Sequence, residues 1–83
     1  MPSFVGRLTK DGQSASEWLT FKYNTMRSGN FVSHPGTIDL PEGVDVNLGA
    51  YTVELRNGGR CSVLVHRTHG RIAEFKITGR PPA

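Results

Sequence analysis

Between Tyr51 and Thr78 an apolar side chain recurs at every second position, in three runs separated by glycine-bearing turns. No other stretch of the 83-residue chain constrains its fold so tightly. Tyr51, Val53 and Leu55 alternate with Thr52, Glu54 and Arg56. Cys61, Val63 and Val65 alternate with Ser62, Leu64 and His66, and Ala73, Phe75 and Ile77 with Glu74, Lys76 and Thr78. A period of two separates an inner from an outer face only in extended chain. The stretch therefore reads as an antiparallel three-stranded meander over 51–56, 60–66 and 72–78, with the nine alternating residues from Tyr51 to Ile77 facing a core.

Slipping a strand by one residue would send its apolar set to the wrong face, which restricts the register. A two-residue Asn57-Gly58 loop would set Leu55 against Arg60 and mix the faces. A three-residue loop, Asn57-Gly58-Gly59, sets Leu55 opposite Cys61, Val53 opposite Val63 and Tyr51 opposite Val65, with Gly59 supplying the positive φ of a G1 bulge. A Thr68-His69-Gly70 loop similarly sets Val65 opposite Ala73, Val63 opposite Phe75 and Cys61 opposite Ile77. Both loops are then flanked by like-charged pairs, Arg56 with Arg60 and Arg67 with Arg71. Each pair is a candidate grip for a carboxylate or phosphate; the plain alternative is that exposed arginines splay into water at little cost. The pairs fall at opposite ends of strand 60–66, about 20 Å apart, and do not make one patch. In this register the outward Leu64 and Ile72 are diagonal neighbours, an apolar patch that a protein partner or a second copy would cover.

Upstream the pattern is looser. Phe4 to Thr9 reads as a first strand with Phe4, Gly6 and Leu8 on one face, and Gly6 marks a bulge or a close backbone approach. Asp11-Gly12 is a strong turn signal. Residues 15–27 carry two readings. Ser14-Ala15-Ser16-Glu17 has the spacing of a capping box, which would open a single helix ended by Gly29. The aromatic and β-branched content of WLTFKYNT favours a strand with Leu19, Phe21 and Tyr23 inward, and this reading is preferred. It places Trp18 outside the core beside Lys22, a candidate platform for a base or a protein partner; the alternative is that Trp18 covers a second small core or an end of a barrel. Residues 27–36 read as a loop with a short extended piece at Phe31-Val32. Thr37 to Leu40 reads as a brief strand closed by Pro41-Glu42-Gly43. The apolar positions Val44, Val46 and Leu48 are even-numbered and those of the next strand odd, so the chain must bend or bulge at Gly49-Ala50.

The fold implied is mainly β: a small antiparallel barrel or rolled sheet of about five to six strands. It forms a single domain over 1–83, with an ordered core about 3–79 and a frayed tail at 80–83.

Composition narrows the chemistry. The single cysteine excludes an internal disulfide framework, and Cys61 on an apolar face reads as a small buried hydrophobe. The absence of an apolar leader or a membrane-length run leads to the expectation of a soluble, cytoplasmic protein. Net charge is +3, but from Arg56 onward six bases face one acid, whereas Asp39 to Glu54 holds four acids and no base. Such asymmetry either steers an anionic partner or is complementarity inside one fold. No nucleophile motif, phosphate loop or dinucleotide fingerprint occurs. His66 and His69 bracket a turn with no third ligand evident, so no metal or other cofactor is expected. Asp39, Glu42 and Asp45 read as solvated acids, not an acid–base pair. The expected role is a non-catalytic interaction module, an adaptor, inhibitor or assembly subunit using sheet edge and loops. The alternative is a basic nucleic-acid-binding barrel with arginines on phosphates and Trp18 or Tyr23 stacking bases. Arg56, Arg60, Arg67, Arg71, Trp18, Lys22, Leu64 and Ile72 are the candidate contact residues.

Overall fold

The computed structural model describes residues 2–14 and 16–81. Nine strands occur among them: β1 Ser3–Lys10, β2 Gln13–Ser14, β3 Leu19–Tyr23, β4 Met26–Ser28, β5 Phe31–Ser33, β6 Pro35–Asp39, β7 Gly49–Leu55, β8 Arg60–His69 and β9 Ile72–Ile77. No helix occurs among the described residues, which settles the 15–27 segment for strand; Ala15 itself lies outside them, as do residues 82–83 of the expected frayed tail. Six strands close into an antiparallel barrel in the order β1-β3-β6-β9-β8-β7, with β7 returning to pair with β1. β2 is an extra strand on the end of β1, and β4 and β5 form a separate two-stranded ribbon.

Alternation decides what fills the barrel. All nine inward residues of the meander are buried, joined by Leu8, Leu19, Phe21, Tyr23, Ile38 and Leu40. Three aromatic rings tie the walls together. Phe4 on β1 stacks on Phe21 at 4.9 Å, and Phe21 meets Phe75 edge-on at 5.5 Å, geometries that suit the ring quadrupoles. Close approach also explains Gly6. A β carbon there would stand 2.5 Å from Val53 Cγ1 and 3.1 Å from the Glu54 carbonyl oxygen, so glycine lets β1 lie against β7 without displacing Val53. Asp11 and Gly12 both take positive φ, 53° and 79°, as a two-residue type I′ turn requires. After that turn β1 pairs first with β2, Thr9 opposite Ser14, and then, past a stretch with no rung among the described residues, with β3, Gly6 opposite Leu19. Within the stretch the Leu8 N–H donates to Ser16 Oγ at 3.0 Å in place of a ladder rung.

Two registers differ from the sequence expectation, each by two residues, so the faces survive. Tyr51 lies opposite Val63 and Val53 opposite Cys61. The turn is of the expected kind but one residue earlier: Gly58, not Gly59, takes positive φ (94°), and its N–H donates to Leu55 O at 3.0 Å. At the second turn the loop is Gly70-Arg71, with Gly70 at φ 62°, and a bulge between Val65 and Arg67 restores the inward set, so that Val65 faces Phe75 and Val63 faces Ile77. A shorter loop plus a bulge satisfies the same alternation as a three-residue loop, which is why alternation could not choose between them.

The expected flanking pairs go with that register. Arg60 lies opposite Glu54, and Arg67 lies opposite Glu74 with Nε 3.7 Å from its carboxylate. Arg56 and Arg71 sit in the turns themselves. Leu64 is half-buried between Ala50 and Lys76, whereas Ile72 faces His69, about 17 Å further along β8 at 3.3 Å per residue, so they share no patch. Val44 and Val46 pack half-buried against the core outside any strand, and Leu48 points outward. The phase change falls at Gly49, whose φ is 140°.

Candidate functional site

The stretch read as a loop, 27–36, is instead the distal half of one long hairpin. The register that pairs Phe21 with Ile38 and Tyr23 with Gly36 inside the barrel continues unchanged through Met26 with Ser33 to Ser28 with Phe31. The signal for it was the Gly29-Asn30 turn between short alternating flanks. Gly29 takes φ 61° at the first turn position, a pattern that fits type II′. Pro35 has no N–H to donate, and the junction is held instead by the Asn24 N–H on Pro35 O at 2.8 Å and by Thr25 Oγ1 against His34 Nδ1 at 3.1 Å. The Tyr23 and His34 rings meet edge-on at 6.2 Å, and the His34 carbonyl accepts the Ile77 N–H at 3.0 Å. The base of the arm is therefore fixed to the barrel, and every residue of β4 and β5 is exposed.

Three of the six exposed residues of β4 and β5 are large and apolar. Phe31 is 79% exposed, Met26 58% and Val32 51%. Met26 and Phe31 are diagonal neighbours on one face, and Val32 stands opposite Arg27 on the other. A two-stranded ribbon of this length has little stability of its own, and both its outer edges are free to pair.

Trp18 stays outside the core, at 39% exposed beside a 3% exposed Leu19. Its neighbours are not Lys22, which lies 3.6 Å from Asp39, but two guanidinium groups. Arg7 Cζ stands 4.9 Å and Arg56 Cζ 5.4 Å from the indole centroid. Arg7 also donates to Glu54 Oε1 at 2.7 Å, while its buried Nε finds no acceptor among the described residues. Sequence reasoning missed Arg7 because it is 47 positions from Glu54 and joins it only when the barrel closes. Of the eight candidate contact residues, the fold brings Trp18, Arg56 and the Glu54–Arg60 rung to one region and scatters the rest.

The acid-rich middle of the chain meets bases of the same molecule: Asp39 with Lys22, Glu42 with Arg71 at 3.8 Å, and Glu54 with Arg7. Glu74 lies 3.0 Å from His69 Nε2 as well as near Arg67. Among the described residues, no group of three or more metal-ligating side chains converges. Cys61 is buried, and desolvation pushes its thiol from 9.0 up to about 11, so it is no ready nucleophile.

No family model, curated protein or solved structure matches the chain.

Proposed function

We propose that the protein is a non-catalytic interaction module that binds a protein partner through the β4–β5 arm. The observation that carries this reading is Phe31, 79% exposed at the tip of a projecting ribbon with Met26 on the same face. Burying that face against a partner gains roughly 2 kcal/mol for each large side chain covered, and the free strand edges add main-chain hydrogen bonds.

The nucleic-acid alternative is less well supported. A base stacking on Trp18 would compete with two guanidiniums already against the indole, and of the four arginines that would meet phosphates, Arg67 and Arg71 are paired with acids of the chain and Arg56 stands on Trp18. Photocrosslinking tests the choice: a benzoyl-phenylalanine is placed at Phe31 and, for comparison, at Thr20 on the barrel wall, and both proteins are irradiated in extract of the native source. Protein adducts specific to position 31 are expected. Equal adducts at both positions, or recovery of mainly nucleic acid released by salt, would overturn the reading.

A further inference from the structure

We propose that the partner of the arm is a second copy of this chain, the arm of one molecule seating in the cleft that Ser14, Ser16 and Glu17 form with the 43–45 turn of the next. This rests on the arm being a protein contact and adds where it lands.

Charge supports the pairing. From Asn24 to His34 the sequence holds one base, Arg27, and no acid. Arg27 has no ion pair among the described residues. The cleft, about 380 Å³, is lined by Ser14, Ser16, Glu17, Gly43, Val44 and Asp45, two acids and no base. Of the seven acids in the chain, Asp39, Glu42, Glu54 and Glu74 have partners. Asp11, Glu17 and Asp45 have none among the described residues, and two of these three, Glu17 and Asp45, meet at this cleft, with half-buried Val44 giving it an apolar wall. Arg27 and Val32, which share one face of the arm, set a cation beside an apolar side chain, and this face is complementary to an anionic cleft with an apolar side. Arm-to-arm pairing about a two-fold axis would instead gather the Arg27 charges of both copies on one small sheet.

Placement supports it too. The arm leaves the β3–β6 pair at its Tyr23–Gly36 end, and the cleft lies beyond the other end, past Leu19 and Asp39. The five-residue strands between them span about 17 Å, so an arm cannot reach the cleft of its own molecule. Donor and acceptor at opposite ends make a heterologous, head-to-tail contact, which grows into a ring or a filament.

Sedimentation velocity on the full chain, over a concentration series at low and high salt, tests this with four proteins. They are the wild type, Arg27→Glu, the double change Glu17→Arg with Asp45→Arg, and all three together; circular dichroism checks that each is folded. The wild type should grow beyond dimers with concentration and less so in high salt. Each charge-reversed protein should associate about tenfold more weakly, as expected for one or two exposed charge pairs, and the triple variant should recover. A wild type that stays monomeric throughout overturns the second-copy inference, while position-31 adducts to a different protein would leave the arm's role standing. Assembly indifferent to every charge change places the contact elsewhere and overturns the inference equally.

Discussion

Gly36 and Phe75 are rung partners across β6 and β9, and the Phe75 ring covers the space a side chain at position 36 would fill. A β carbon there would stand 2.7 Å from Phe75 Cζ and overlap the Lys22 carbonyl oxygen. At Gly6 the nearest obstacle is the end of a side chain, Val53 Cγ1, which can give way more readily than backbone. Gly36→Ala should therefore destabilise the barrel more than Gly6→Ala, with about 1–3 kcal/mol for the milder case. Urea midpoints of the two variants check the order.

Gly58 and Gly59 should respond differently to alanine. Gly58 holds φ 94°, where a β carbon is strained, and Gly58→Ala should cost about 1 kcal/mol. A β carbon at Gly59 would meet Leu55 Cδ1 at 3.2 Å, a flexible contact, and should cost less. The reverse order in thermal melts would favour the turn placed one residue later.

Burial raises the Cys61 thiol from 9.0 to about 11, so the folded protein holds its proton where the unfolded chain releases it. The resulting contribution to stability is fully present below pH 9 and is lost as pH rises towards about 11. Wild type should lose stability relative to Cys61→Ala across that window. Parallel curves for the two proteins would remove the assignment.

Arg7 and Arg56 both stand on Trp18, but only Arg7 also holds an ion pair among the described residues. Arg56→Ala should cost at most about 1 kcal/mol, as expected of an exposed cation–π contact. Arg7→Ala should cost more, because it also leaves Glu54 without its 2.7 Å partner. Denaturation monitored by Trp18 fluorescence compares the two directly.

The parts of this fold that could be read from sequence were those set by parity. Every inward residue from Tyr51 to Ile77 is buried because alternation survives a register error of two, and the Leu19-Phe21-Tyr23 set was recognisable for the same reason. Loop length and the bulge beside His66 compensate one another, so exact rungs, and with them the arginine pairs, were not legible. The arm was missed for a different reason. Its residues show no inward set because neither face meets the core, and a ribbon exposed on both sides looks like loop. Contacts such as Arg7 with Glu54 depend on closure and leave no local trace.

Closure at the β1–β7 seam has a consequence for how the molecule comes into being. The first strand of the chain has one flank with no neighbour until Gly49–Leu55 arrives from more than forty residues away. Assembly must therefore wait for a distant encounter, which places this small domain among slow folders, on the order of milliseconds to seconds. Until then the waiting flank of Ser3–Lys10 is open to any other extended chain nearby.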